Sequence, residues 1–200
     1  MNDTREHILK TSLLLFLQKS YRDVTMNEIV EKTSLSKGAF YHYFRSKEEL
    51  FKEIASAFFE KGAVDYSSFS KVSLHTFYNQ YADFLNNSML SLSSMVEDAG
   101  FRSFNFNYFV ILFEAANRFP EFLKMELDLY KKDIKAWTKI ISIARKKGEI
   151  SSESTDEDIA GLFLYCNDGV FLRYVNSDKP ETFRILLLNA YDTIYGNLKV

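Results

Sequence analysis

The stretch TMNEIVEKTSLSKGAFYHYFRSKEEL, which begins at Thr25, constrains the fold more than any other part of the chain. Thr25 stands three residues before Glu28, and Ser46 stands three residues before Glu49, which is the spacing of a helix-capping box. Between these two signals, Ser36 opens another helix after a very short turn. Two helices joined by so short a turn cross steeply, so the stretch predicts a helix-turn-helix unit.

The helix that starts at Ser36 has two chemically different faces. Helical geometry places the two phenylalanines on one side, where they can fill a small core. Glycine on the other side lets the helix approach a duplex closely, and the neighbouring polar groups suit phosphate oxygens and base edges. That outward side carries Lys37, Gly38, Tyr41, His42 and Arg45. The alternative, a merely solvated face, is disfavoured because an exposed glycine weakens so short a helix.

The segment SLSKGAFYHYFRSKEEL resembles the signature of the TetR family of bacterial transcriptional regulators. The matching positions are Ser36, Gly38, Phe40, Tyr41, Phe44, Lys47 and Leu50. Two positions depart from the pattern: Tyr43 stands where the family usually has histidine, and Ser20-Tyr21 replaces a glycine often found before the second helix.

The resemblance implies an all-α protein of about nine helices. Its N-terminal three-helix head, with the helix-turn-helix, would bind double-stranded operator DNA, and its C-terminal helical domain would bind a ligand and dimerise. Thr25 caps a helix by its spacing and is a phosphate contact by resemblance. The residues predicted to contact DNA are Thr25, Ser36, Lys37, Gly38, Tyr41, His42, Tyr43 and Lys47.

Composition agrees with a mostly helical globular chain, since 46% of the residues are hydrophobic and only two are proline. The net charge is −2, so a basic footprint must come from local clustering, and a cationic protein that coats DNA without sequence preference is disfavoured. A single cysteine, Cys166, excludes an intrachain disulfide and agrees with a reducing cytoplasm. No secretory leader or membrane-spanning run is found, and we expect no membrane partner.

Helical periodicity predicts a first helix over residues 5–19 and a connector helix from Ser46 to about Gly62. We place the domain boundary in that connector, giving a DNA-binding domain at 1–50 and an effector-binding and dimerisation domain at 51–200. Further helices are predicted at 73–92, 105–117, 121–147 and 156–175, and from near 178 to 198. A hairpin turn at 167–169 is a local alternative, rejected because the flanking apolar residues keep helical spacing.

Aromatic residues are concentrated in the second domain, and in the resembling family the corresponding region encloses an effector pocket. The alternative, that these rings simply fill a core, stays open for each of them. The predicted effector-binding residues are Tyr81, Phe104, Tyr108, Phe109, Phe113, Trp137, Tyr165 and Asn167.

The last two predicted helices carry more apolar surface than a peripheral helix needs. A pair of such helices can meet its symmetry mate in a four-helix interface, which is how the resembling family dimerises. Two reading heads then select near-palindromic sites. The predicted interface residues are Leu162, Phe163, Val170, Phe171, Leu187, Tyr191 and Ile194.

Enzyme signatures such as a glycine-rich phosphate loop or a nucleophile elbow are missing from the sequence. We therefore expect no catalytic residues, no cofactor and no metal site. The favoured function is a homodimeric cytoplasmic regulator, a repressor released from its operator by a small apolar or aromatic effector. Two rivals stay open: an architectural or partner-recruiting DNA-binding protein without an effector, and a helical enzyme or binding module with a vestigial head.

Overall fold

The computed structural model describes residues 2–97, 107–174 and 182–200. The head is built from α1 (Asn2–Asp23), α2 (Met26–Thr33) and α3 (Lys37–Tyr43), and α4 (Lys47–Gly62) leads away from it. The predicted helix-turn-helix is confirmed, and α1 is longer than the predicted 5–19.

The three predicted helix starts in the head are formed by side-chain caps. The hydroxyls of Thr25, Ser36 and Ser46 accept hydrogen bonds from the backbone N–H groups three residues later, at 3.2, 3.2 and 3.0 Å. These bonds satisfy N–H groups that have no partner inside the helix, which is why the helices begin where the sequence indicates.

α1 is broken near its end at Ser20, whose φ of 70° and ψ of 162° lie in a region that favours glycine. This is the position where the resembling family often has glycine. Ser20 Oγ donates a hydrogen bond to Asp23 Oδ2 at 3.1 Å, and the break redirects the chain towards α2.

The rest of the described chain contains five further helices: α5 (Leu74–Glu97), α6 (Asn107–Arg118), α7 (Pro120–Lys146), α8 (Asp156–Tyr174) and α9 (Phe183–Leu198). A 3-10 turn, Tyr66–Ser68, lies between α4 and α5. The described residues therefore form nine α-helices, and the predicted all-α fold class is confirmed. Residues 167–169 are helical, so the rejected hairpin does not form. The predicted start of the last helix near 178 lies outside the described residues.

Buried side chains form two cores. The first joins the head to α4, α6 and the start of α7, with Phe16, Phe40, Phe44, Phe51 and Phe122 at its centre. The second joins α5, α8, α9 and the later half of α7. The proposed domain boundary at residue 50 falls within α4 and within the first core. The first core also includes α6, because α1 of the head packs against α6.

Within the described ranges, no helix is long and apolar enough to cross a membrane. The same residues contain no group of three or more histidine, cysteine, aspartate or glutamate side chains placed to hold a metal ion.

Candidate functional site

The outward face of α3 is accessible to a partner, as its sequence pattern predicts. Phe40 and Phe44 are fully buried in the first core, whereas Lys37, Gly38 and His42 are exposed. The α3 helix therefore offers its side without phenylalanine to solvent.

Tyr41 is the largest exposed group of this face, with 41% of its surface accessible. Its ring rests edge-on against buried Phe40, with 5.7 Å between the ring centroids. The Tyr41 ring therefore packs on the core through Phe40 while a large part of the side chain remains accessible. Around Gly38, a built Cβ would meet nothing within 4 Å, so nothing inside the protomer requires a glycine there.

Thr25 and Ser36 sit at the starts of α2 and α3 and are exposed. Each hydroxyl oxygen accepts a backbone hydrogen bond, and a hydroxyl that accepts in this way still has a proton to donate. Both side chains can therefore cap a helix and contact a phosphate at the same time. Tyr43, by contrast, is half-buried and packs against the first core, which leaves only part of its ring accessible.

Lys47 has an internal role that sequence reasoning missed. Its Nζ donates to the carbonyl oxygens of Tyr21 and Val24, at 2.8 and 2.7 Å, and lies 4.3 Å from the centroid of the Tyr21 ring. Two of its three ammonium protons are thereby committed to the junction between α1 and α2. Partial burial lowers the pKa of Lys47, and nearby Arg118 lowers it further.

The Tyr21 ring connects the head to the second half of the chain. The guanidinium of Arg118, at the end of α6, lies 4.4 Å from the ring centroid, so the ring contacts two cations. Arg118 also donates to Glu114 at 2.7 Å. The Tyr21 ring therefore links α6 to the α1–α2 junction.

A cavity of about 550 Å³ lies where the end of α4 meets α5, α6, α8 and α9. None of the described residues that line it is charged. Burial raises the pKa of Tyr108 in its wall to about 12, so this phenol stays protonated. The lining residues are Gly62, Phe84, Leu85, Asn87, Ser88, Met89, Ser91, Tyr108, Asn167, Phe171 and Phe183.

The cavity includes two of the predicted effector-binding residues, Tyr108 and Asn167. Phe109 is half-buried beside the cavity, with its ring centroid 5.2 Å from that of Phe171. The cavity-lining residues of α5 were not identified from the sequence. Similar apolar and small polar side chains lie on several sides of this helix, so spacing alone does not show which side faces the cavity.

Four predicted pocket residues are corrected by the structure. Tyr81 and Trp137 are buried in the second core, where their ring centroids lie 5.1 Å apart, so they fill space instead of lining the cavity. Phe113 and Tyr165 are on the surface, 64% and 59% exposed. Phe104 lies outside the described residues.

Three predicted interface residues are also corrected. Phe163, Leu187 and Tyr191 are fully buried in the second core and cannot face a second copy of the chain. Val170, Phe171 and Ile194 are half-buried, and Phe171 faces the cavity. The exposed apolar residues of α8 and α9 are Leu162, Tyr165, Leu172, Ile185 and Leu186.

The sequence of the head is similar to those of known bacterial regulators. A sequence profile described as bacterial regulatory proteins, tetR family, matches residues 8–54. The HTH-type transcriptional repressor NemR of Escherichia coli K12 is 47% identical over 47 residues, which are 24% of this chain and 24% of NemR. Another bacterial regulator matched in the same way is covered over 17% of its length, so this chain aligns with only a small part of these relatives.

Two comparisons extend over nearly the whole chain. The HTH-type transcriptional regulator YfiR of Bacillus subtilis is 25% identical over 187 residues, covering 89% of this chain and 86% of YfiR. A crystal structure of a transcriptional regulator from Saccharomonospora viridis in complex with choline superposes over 100% of both chains, with a TM-score of 0.61 and 15% identity. At that identity the superposition establishes a shared fold.

Proposed function

We propose that this chain, whose head matches the tetR family of bacterial regulatory proteins, is a homodimeric TetR-family transcriptional repressor in the bacterial cytoplasm, released from its operator by a small effector. The observation that carries the proposal is the outward face of α3, where Lys37, Gly38, Tyr41 and His42 are exposed together on a helix-turn-helix.

On DNA, α3 enters the major groove. Lys37, Tyr41 and His42 reach base edges, because they are the exposed side chains of α3 that carry hydrogen-bonding groups. Thr25 and Ser36 donate their hydroxyl protons to phosphates, and Tyr43 and Lys47 help to position the backbone. Lys47 contributes its remaining ammonium proton, since the other two bind carbonyl oxygens.

Two heads are needed because one helix of this length makes too few contacts for a genomic site. The exposed leucines of α8 and α9, Leu162, Leu172 and Leu186, support a dimer in which these two helices meet their counterparts. A two-fold symmetric pair of heads selects a near-palindromic operator.

The effector proposed for the cavity is uncharged and mostly apolar. The apolar part of the described wall is supplied by Phe84, Leu85, Met89, Phe171 and Phe183. Asn87, Ser88 and Asn167 offer hydrogen bonds to a polar group. An ionised ligand would lose its hydration in this cavity without gaining an opposite charge from the described wall.

Effector binding is proposed to change the position of the head through two structural connections between the cavity and the head, α4 and α6. Gly62, the last residue of α4, lines the cavity, and α6 carries both Tyr108 in the wall and Arg118 against the head. A ligand that favours the conformation with the wrong head spacing shifts the population away from DNA.

The test is selection from a random duplex pool by the purified protein, followed by titration of the recovered sequence at several salt concentrations. We expect a near-palindromic sequence whose affinity falls steeply with salt. Recovery of no shared sequence, or affinity independent of salt, would overturn the proposal. Thermal-shift screening with uncharged aromatic compounds tests the effector separately, because the rival without an effector predicts no stabilisation.

A further inference from the structure

A second groove lies between the segment that follows α4 and the middle of α7. Its volume is about 360 Å³. Val64, Tyr66 and Ala136 are partly exposed and supply its apolar surface, whereas Phe77 and Ile140 line it from the second core, where they are almost completely buried. The lysines of the groove are Lys71, Lys132, Lys135 and Lys139.

These four lysines are exposed, and none of them forms an ion pair with any residue in the described part of the chain. Lys132, Lys135 and Lys139 are three and four residues apart on α7, so they lie on one face of the helix. Residues 131–146 contain six lysines and arginines but only one acidic residue, in a chain whose net charge is −2. Like charges at this spacing repel one another modestly in water, and an anion bound among them would offset that repulsion.

No carboxylate of the described residues forms an ion pair with these lysines. Asp156 and Glu157 line an adjoining groove together with Lys135 and Lys139, and Asp156 pairs with Arg145 at 2.8 Å.

Asp133 accepts a hydrogen bond from the Tyr66 hydroxyl at 2.8 Å, and burial raises the pKa of its carboxyl to about 6. Asp65 accepts from the backbone N–H of Ser67 and caps the 3-10 turn. Neither carboxylate forms an ion pair with a lysine of the groove.

We propose that this groove binds a small amphipathic anion, with an apolar body on Val64, Tyr66 and Ala136 and a carboxylate, sulfate or phosphate group among the lysines. The ligand class differs from the uncharged effector of the first cavity. The two sites share no described lining residue.

The position of the groove makes this site a second input to the head. Val64 comes directly after Ala63, which caps the end of α4. At the other end of the same segment, the Lys147 ammonium donates to the carbonyl oxygen of Val72 at 2.7 Å and fastens the segment to the end of α7. An anion held between this segment and α7 restrains the end of α4.

The experiment is calorimetric titration of the full-length protein with octanoate and octyl phosphate, and with 1-octanol as the neutral probe of equal chain length. Both anions are expected to bind at least about tenfold more tightly than the alcohol, a difference of about 1.4 kcal/mol. Raising the salt from about 0.05 M to about 0.5 M should remove most of that difference. If one anion binds more tightly, that identifies the preferred head group.

The matched variants carry two lysine substitutions each on the same helix. Lys135→Ala/Lys139→Ala is expected to weaken octanoate binding about tenfold or more. Lys124→Ala/Lys131→Ala removes the same charge from exposed positions of α7 that do not line the groove and should bind octanoate as the wild type does.

Hydrogen exchange locates the bound anion. Octanoate is expected to protect the backbone amides of residues 63–72. Protection of residues 84–91 instead would place the ligand in the first cavity and overturn the proposal. Equal binding of octanoate and 1-octanol, no binding of either anion, or an equal loss in both double variants would overturn it as well.

Discussion

The ammonium group of Lys47 lies 4.3 Å from the centroid of the Tyr21 ring and donates a hydrogen bond to the carbonyl oxygen of Tyr21 at 2.8 Å. One residue at the start of α4 thereby closes the bend between α1 and α2. The family signature places a lysine here, and in this chain the lysine stabilises the head before any DNA is bound.

Lys47→Met should therefore destabilise the protein even in the absence of DNA. Methionine keeps the apolar stem but leaves the carbonyl oxygens of Tyr21 and Val24 without their charged donor, which we expect to cost about 2 kcal/mol of unfolding free energy. Urea denaturation measures the change. Lys37→Met is the control, because Lys37 is exposed and its loss should change stability by less than about 0.5 kcal/mol. Equal stability of the two variants would contradict the role assigned to Lys47.

Ser20→Gly should stabilise the protein. Glycine adopts a φ of 70° and a ψ of 162° without steric cost, and relief of the strain should exceed the extra entropy of the unfolded chain by about 1 kcal/mol. Ser56→Gly, in the middle of α4, is the control and should lower stability by a similar amount. Thermal unfolding of both variants checks the signs, and a loss of stability in Ser20→Gly would contradict the strain.

The raised pKa of Asp133 leads us to predict how the unfolding free energy of the protein changes with pH. Its pKa is about 6 in the folded protein, mainly through burial, and the ordinary value is 3.8. The folded state therefore holds a proton more tightly, so this carboxyl favours folding below about pH 4 and loses that contribution as the pH rises through about 6. Asp133→Asn should be more stable than the wild type by about 1–2 kcal/mol at pH 8 and nearly equal to it at pH 4. Urea denaturation across this range tests it, and an unchanged difference between pH 4 and pH 8 would contradict it.

The exposed apolar face of α8 and α9 predicts how the dimer can be broken. Leu162→Glu and Leu186→Glu place a charge in the proposed interface and should weaken dimerisation about 100-fold or more. Leu123→Glu is the control, because Leu123 is 51% exposed on α7, outside that face. Sedimentation equilibrium distinguishes the outcomes: dimers in both interface variants, or monomers in the control, would contradict the proposed face.

Local signals in the sequence predict the head well, because capping is a short-range interaction. Thr25, Ser36 and Ser46 need only a backbone N–H three residues away, and all three form the predicted caps. The role of Lys47 could not be predicted in this way, since its carbonyl partners are 23 and 26 residues away and are presented by a bend at Ser20.

The second domain was less predictable from sequence because its aromatic residues are chemically alike. Tyr81 and Tyr108 lie on different helices with similar apolar spacing, yet the first is in the core and the second lines the cavity. Which ring meets a neighbour depends on the packing of α5, α6 and α8, which spacing within one helix does not encode. The same limit explains why Leu162 and Phe163 are adjacent in sequence but face solvent and core respectively.

The most direct test of the central claim, that the outward face of α3 lies against duplex DNA, is a paired measurement on Gly38→Ala. A Cβ at this position meets nothing within 4 Å inside the protomer, and alanine favours helix over glycine, so unfolding free energy should rise by about 0.5–1 kcal/mol. Fluorescence anisotropy with the selected operator should nevertheless show affinity reduced at least about tenfold, because the new methyl group separates α3 from the groove. A Gly38→Ala protein that binds the operator as tightly as the wild type would contradict the account.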